Sequence, residues 1–100
     1  MNIKDFTDER TTKALEKLNK AGYANELVQE AIDATIRRMS AKIASGEFKK
    51  GCSKTAGMTH MIFNDEFWKL TGAKGEIAFA KGVDKITHEI YKKYFGDVVE

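Results

Sequence analysis

The residues best suited to chemistry in this chain are the basic side chains gathered between positions 35 and 60. That segment holds six lysines and arginines against a single acid, Glu47, whereas the net charge of the whole chain is only +2. The six are Arg37, Arg38, Lys42, Lys49, Lys50 and Lys54. Such a local excess creates a positive potential that selects anionic partners, either phosphate groups or an acidic protein surface.

Arg38 and Lys42 stand four residues apart, so on a helix they occupy one ridge, where like charges repel slightly. Together with the lysines at 49, 50 and 54 they would form a basic edge able to neutralise several phosphates. Alternatively, these side chains lie along the rim of the core or pair with acids from another helix, and then offer no binding surface. The sequence leaves both interpretations open.

Gly46 and Gly51 have the glycine spacing of a phosphate-binding loop, and serine, lysine and threonine follow at 53–55. That motif requires lysine and then serine or threonine directly after the second glycine, where this chain has Cys52 and Ser53. A helical pattern also precedes the loop, so its amides lack the strand that aims them at a phosphate chain. We therefore predict a plain basic loop.

Cys52, His60 and His88 could in principle supply a nucleophile and a base, because a thiolate beside an imidazolium is activated. His88 falls in a polar stripe with Asp84 and Lys92, which is typical of a solvated helix surface. His60 lies in an apolar run, where we expect a hydrogen-bonded, partly buried side chain. One cysteine and two separated histidines also lack the spacing of a metal site. We predict no enzyme, no metal and no cofactor.

Phe67 and Trp68 are adjacent, so they cannot both face the core of a helical protein. One of them is expected to form a partly exposed aromatic anchor or to pack in a corner under Gly72. A helix-turn-helix motif over residues 64–95 is disfavoured, because Asp84 and Glu89 would bring carboxylates against the phosphates of DNA.

The composition predicts one small domain. A chain of 100 residues with 42% hydrophobic content has room for a single core. It has no apolar stretch of about 20 residues that could span a membrane, and its N-terminus does not have the pattern of a secretory signal. A single cysteine cannot form an internal disulfide. We expect a cytoplasmic protein that does not contact membranes.

The hydrophobic pattern predicts an all-α domain of three long helices and a short one. The first helix starts at Thr7, with lysines in its last turn, and stops before Gly22. The second runs over residues 24–45 and buries a stripe at four-, four-, three- and four-residue intervals. The stripe comprises Val28, Ile32, Ile36, Met39 and Ile43. Its small-residue shoulder of Ala24, Ala31 and Thr35 leaves contact with a second copy of the chain open.

Residues 46–57 are expected to form an exposed, mobile loop anchored by Phe48. The type of residues 58–63 is ambiguous. A short helix is predicted over residues 65–70, capped by Asn64, and a last helix over residues 76–95, ended by Gly96. The apolar face of this last helix is Phe79, Val83, Ile86, Ile90 and Tyr94.

With a catalytic site, a metal site and a phosphate-binding loop disfavoured, the remaining functional features are the basic edge and an aromatic anchor. They favour a small, non-enzymatic interaction protein that regulates or inhibits a macromolecular partner, most simply a protein with an acidic surface. The predicted partner-binding residues are Arg37, Arg38, Lys42, Lys49, Lys50, Lys54 and Trp68. The alternative is a nucleic-acid-binding protein that uses the 37–54 segment for phosphate contacts, although the segment has only Phe48 for stacking on bases.

Overall fold

The computed structural model describes residues 8–72 and 83–99 of the chain. Within these ranges it contains four helices and no strand, so the all-α prediction is confirmed. The helices are α1 (Glu9–Lys20), α2 (Asn25–Ala44), α3 (Ser53–Thr71) and α4 (Val83–Phe95). None of these helices is both long and apolar enough to cross a membrane.

Helix α1 is capped by Asp8 rather than by the predicted Thr7, which lies outside the described residues. The Asp8 carboxylate accepts hydrogen bonds from the backbone amides of Arg10, at 2.9 Å, and Thr11, at 3.2 Å. At the other end, Gly22 has the expected positive φ of 100°. The amide of Tyr23 there donates to the Leu18 carbonyl, which closes the helix in the usual left-handed turn.

Helix α2 matches the predicted span, because residues 24 and 45 are its two cap positions. Val28, Ile32 and Met39 are fully buried, as the stripe predicts. The three small residues predicted to form one accessible shoulder do not share one environment. Ala24 is exposed at the cap, whereas Ala31 and Thr35 are buried inside the chain itself, so they cannot seat a second copy.

Helix α3 is the largest departure from the sequence analysis. The last part of the predicted loop, residues 53–57, the ambiguous run that follows it and the predicted short helix at 65–70 all lie in one continuous helix of 19 residues. Asn64 lies inside that helix and caps nothing. The pattern was missed because two buried positions, Thr55 and Thr59, are threonines, which do not count as apolar residues in a hydrophobic period.

Helix α4 is described from Val83 onward, so Phe79 and the predicted start at 76 lie outside the described residues. Ile86 and Ile90 are fully buried, as expected. Tyr94 was wrongly assigned to the core. It is 43% exposed, and Tyr91 and Phe95 are buried in its place. The buried face is therefore rotated from the predicted one toward the side of Tyr91.

The four helices enclose two neighbouring apolar clusters. The first joins all four helices and comprises Ala14, Leu18, Val28, Ala31, Ile32, Phe63, Phe67, Ile86 and Ile90. The second joins α2, α3 and α4 and comprises Met39, Ile62, Tyr91 and Phe95. Phe48 packs against the second cluster, which confirms that it anchors the connection between α2 and α3.

The connection between α2 and α3 is held to the protein at Gly51, which is buried rather than exposed as predicted. Its amide donates to the Tyr91 hydroxyl at 2.9 Å, and its carbonyl accepts from the Val99 amide at 2.8 Å. Both backbone groups of one loop residue are thus satisfied by distant parts of the chain, as a buried peptide requires. This joint fixes where α3 begins.

Removal of the Tyr91 hydroxyl is expected to destabilise the fold. In Tyr91→Phe the buried Gly51 amide loses its acceptor, which should lower the free energy of unfolding by about 1–3 kcal/mol. Urea denaturation followed by circular dichroism measures this. The control, Tyr94→Phe, changes an exposed tyrosine on the same helix and should shift stability by less than about 0.5 kcal/mol. Equal effects of the two variants would contradict a structural role for the hydroxyl.

Candidate functional site

Arg38 does not point freely into solvent, because it links α2 to α3. Its guanidinium Nη1 lies 2.7 Å from Asp65 Oδ2 and 2.8 Å from Glu66 Oε1. Lys69 approaches the same two carboxylates at 3.2 and 3.6 Å. Two cations and two anions therefore form a balanced network. The sequence left open that basic side chains pair with acids from another helix, and Arg38 does so.

The network shifts the ionisation of its members in the expected directions. The pKa of Asp65 is lowered, first by the hydrogen bond from Arg38 and then by the one from Lys69. The pKa of Arg38 is raised, first by the hydrogen bond to Asp65. Each shift favours the charged form of the group, because the partner stabilises that form.

Lys42 is also engaged within the protein. Its ammonium lies 3.1 Å from Glu47 Oε2 and 5.3 Å from the centroid of the Phe48 ring. The first contact offsets its charge, and the second is a cation–π interaction with the side chain that anchors the loop. Lys42 therefore helps to hold the connection between α2 and α3, and little of its charge is left for a partner.

Lys49, Lys50 and Lys54 lie close together in sequence around the start of α3, and we call them the lysine cluster. All three are exposed, and none forms an ion pair with a residue of the described ranges. Two precede α3 and the third lies in its first turn, which contains no acid. The amide dipoles at this helix end add to the positive potential.

Arg37 is exposed and belongs to α2, whereas the lysine cluster lies around the start of α3. Successive helical residues project about 100° apart, so Arg37 and Arg38 point in different directions, and Arg37 takes no part in the Arg38 network. The predicted basic edge is thus divided into three parts: the paired Arg38 and Lys42, the isolated Arg37, and the lysine cluster.

Trp68 lies on the outward face of α3 and is 38% exposed, whereas its neighbour Phe67 is fully buried. The Phe67 ring meets the edge of Tyr23 at a centroid distance of 4.9 Å. The adjacent aromatics therefore face opposite ways, as the sequence requires. Trp68 is therefore the partly exposed member of this pair.

Met61 belongs to the same outward face and was missed by the sequence analysis, because the run around it could not be assigned to helix or strand. It is 61% exposed. Lys54, Met61 and Trp68 are successively seven residues apart, or two helical turns, so they share one face of α3. We call these three residues the outer stripe of α3. It runs about 21 Å along the helix axis from Lys54 to Trp68.

The cysteine and histidines do not assemble into a nucleophile–base pair along α3. Cys52 is the cap residue of α3, and His60 lies eight residues later, or about 12 Å along the axis. The ring of His60 lies between two side chains, with Asn64 Nδ2 3.2 Å from Nε2 and Thr87 Oγ1 3.4 Å from Nδ1. It is the hydrogen-bonded, partly buried histidine that the sequence predicts. His88 is exposed.

No group of three or more histidine, cysteine or carboxylate side chains in the described ranges could hold a metal ion. Comparison of the chain with protein-family models, with curated proteins and with solved structures finds no match. A functional proposal therefore depends on the geometry of the surface. The lysine cluster and the outer stripe of α3 meet at Lys54, which belongs to both.

Loss of the Arg38 side chain is expected to raise the pKa of Asp65 toward its ordinary value of 3.8. In Arg38→Gln the larger of the two stabilising hydrogen bonds is removed, while Lys69 remains. Titration of the carboxyl carbon by NMR measures the change directly. Arg37→Gln removes the same charge one residue earlier and should leave the Asp65 pKa lowered. An unchanged Asp65 pKa in Arg38→Gln would contradict the network.

The same variant should alter the stability of the protein in acid. A carboxyl whose pKa is lowered by folding stabilises the native state above its unfolded pKa of about 4. That contribution is lost as the pH falls through the lowered native pKa. The acid-dependent loss of stability should therefore be smaller in Arg38→Gln than in Arg37→Gln, as measured by urea denaturation across this pH range.

Proposed function

We propose that this chain is a small, non-catalytic cytoplasmic regulator. Its basic residues bind an acidic surface of a partner protein, and it inhibits the partner by occupying that surface. The observation that carries the proposal is the position of the lysine cluster. These three exposed cations have no ion-pair partner among the described residues and lie at a helix end that contributes positive potential of its own.

The outer stripe of α3 supplies the apolar part of the proposed interface. Met61 and Trp68 are exposed side chains of the kinds enriched in the centres of protein interfaces. They follow Lys54 along one face of a single helix. A partner segment with acidic groups at one end and apolar side chains at the other would complement this order of charge and hydrophobicity.

Nucleic acid is the alternative ligand for the same lysines, because phosphates would also be attracted to them. The aromatic residue of this segment does not favour that alternative. Phe48 packs against the second apolar cluster and lies beneath the ammonium of Lys42, so its ring is already occupied and is poorly placed to stack on a base. We therefore favour a protein partner.

Neutralising the lysine cluster should weaken partner binding by about tenfold or more, since three attractive charges are lost from one site. The variant is Lys49→Gln, Lys50→Gln, Lys54→Gln. Its matched control, Lys13→Gln, Lys17→Gln, Lys20→Gln, makes the same change in net charge on exposed α1. Quantitative mass spectrometry of proteins captured from a nuclease-treated lysate by each bait identifies the partner, whose affinity is then measured.

The supporting result is a protein retained by the wild type and the α1 control and lost with the cluster variant. Equal retention by all three baits would contradict the proposal. Fluorescence titration with duplex and single-stranded oligonucleotides at two salt concentrations tests the alternative. Tight binding with a steep salt dependence, abolished in the cluster variant only, would replace the protein partner with nucleic acid.

Truncation of Trp68 should also weaken binding of that partner. In Trp68→Ala a buried interface anchor is lost, at a cost of about 2 kcal/mol or more in binding free energy. Tyr94→Ala is the control, because Tyr94 is a similarly exposed aromatic on α4. Calorimetric titration of the identified partner measures both, and circular dichroism checks that each variant is folded. Equal affinities of the two variants for the partner would show that Trp68 does not belong to the interface.

A further inference from the structure

The outer stripe of α3 is part of a wider outward face of this helix. Successive helical residues project about 100° apart, so residues three, four and seven apart fall on the same side. The exposed members of this side are Lys54, Gly57, Met61 and Trp68, and its partly buried flanks are Met58, Asn64 and Asp65. The face is long and narrow, like the contact face of a helix that packs against another helix.

Gly57 forms a gap in this face. It lies inside α3, where glycine weakens a helix relative to alanine. Its φ is not positive, and a Cβ atom added there would meet nothing within 4 Å. Neither the backbone conformation nor packing within the described part of the protein therefore requires glycine at this position. A gap of this kind accommodates a large side chain from another molecule.

The gap has the layout of a hole in helix–helix packing. In knobs-into-holes packing, a side chain of one helix enters the space between residues i, i+3, i+4 and i+7 of its neighbour. A first hole with this spacing lies between Lys54, Gly57, Met58 and Met61. A second lies seven residues later, between Met61, Asn64, Asp65 and Trp68. The missing side chain of Gly57 makes the first hole the larger one.

One register fills both holes with the exposed apolar side chains of the same face. In an antiparallel pair of α3 helices whose two-fold axis passes near residues 62 and 63, residue 68 of one copy faces the centre of the first hole, near residue 57. In the same register, residue 61 faces the centre of the second hole, near residues 64 and 65. Trp68 and Met61 therefore act as knobs together, and the two-fold axis repeats both contacts.

The charges favour a second copy in this antiparallel arrangement. Lys54 borders the hole that Trp68 of the other copy enters, so its ammonium lies within reach of the indole ring for a cation–π interaction. The two copies of Lys54 are about 26 Å apart along the helix axis, well beyond the Debye length of about 8 Å at physiological salt. A parallel pair would instead bring the two lysine clusters together.

We propose that this chain self-associates as a symmetric antiparallel dimer through the outward face of α3, with Trp68 of each copy packed over Gly57 of the other. The dimer covers the outer stripe, so a partner that binds there must displace the second copy. Self-association needs no such partner, and it stands independently of the proposed function. A contact between two single helices is small for a specific interface, so we expect a dissociation constant of about 10–300 µM.

Analytical ultracentrifugation of the full chain between about 5 and 500 µM tests self-association, and a reversible shift from monomer to dimer is expected. In Gly57→Gln a long side chain fills the hole while glycine is replaced by a better helix former. The dissociation constant should therefore rise by about tenfold or more. The control, Ala41→Gln, enlarges an exposed residue of α2 and should dimerise as the wild type does.

A second pair of variants tests the knob. Trp68→Ala should also raise the dissociation constant by about tenfold or more, because the side chain that enters the hole is lost. Tyr94→Ala truncates a similarly exposed aromatic residue of α4 and should leave the dimer unchanged. Circular dichroism checks that every variant is folded.

Paramagnetic labelling tests the orientation of the two helices. A nitroxide is attached through Ser53→Cys, at the exposed start of α3, in a Cys52→Ser background, and this chain is mixed with ¹⁵N-labelled Cys52→Ser chain. Residue 53 of one copy faces residue 72 of the other in the proposed register, so the amides of Thr71 and Gly72 should broaden. Broadening at the start of α3 instead would overturn the antiparallel arrangement.

The proposal is also overturned if the chain is monomeric throughout the concentration range, or if Gly57→Gln and Trp68→Ala both dimerise as the wild type does. Neither outcome affects the capture experiment with the lysine-cluster variant, which reports on the partner surface. Conversely, equal retention by the three baits of that experiment would contradict the proposed function and leave a measured dimer standing.

Discussion

The buried peptide at Gly51 is the constraint on which the rest of the arrangement depends. A buried amide and carbonyl must both find partners, and here one is satisfied by the Tyr91 hydroxyl of α4 and the other by the Val99 amide of the C-terminal segment. The residue has a φ of 85°, and a Cβ atom would lie 3.0 Å from Val99 Cγ2. Glycine is therefore favoured at position 51 both by the positive φ and by the lack of room for a Cβ atom.

Contacts on either side of that residue divide the basic segment, so that it does not form one surface. Before Gly51 in the chain, Phe48 packs against the second cluster, and Lys42 contacts both the Phe48 ring and the Glu47 carboxylate. One helical turn earlier, Arg38 reaches the carboxylates of α3. Within the basic segment, Arg37 and the lysines next to the start of α3 are the cations that form no ion pair with a described residue. Folding thus converts a long basic run into a compact patch.

Helix α3 connects the buried core to the proposed partner surface. Its buried side places Phe63 and Phe67 in the first cluster. Its outer stripe extends from Lys54 to Trp68 and offers charge and apolar area to a macromolecule. Because both sides belong to one helix, the packing of the core fixes how the outer stripe is presented.

The sequence by itself determined the helical class, the span of α2, the end of α1 at Gly22 and the opposite orientations of Phe67 and Trp68, because each follows from local periodicity or backbone conformation. It also located the basic segment. Tertiary structure decided the continuity of α3, where buried threonines hid the apolar period, and the rotation of α4 that buries Tyr91. It also decided which cations remain uncompensated, because the acids that pair with Arg38 lie 27 and 28 residues away. A local pattern contains no information about which distant residues a fold brings within hydrogen-bond distance.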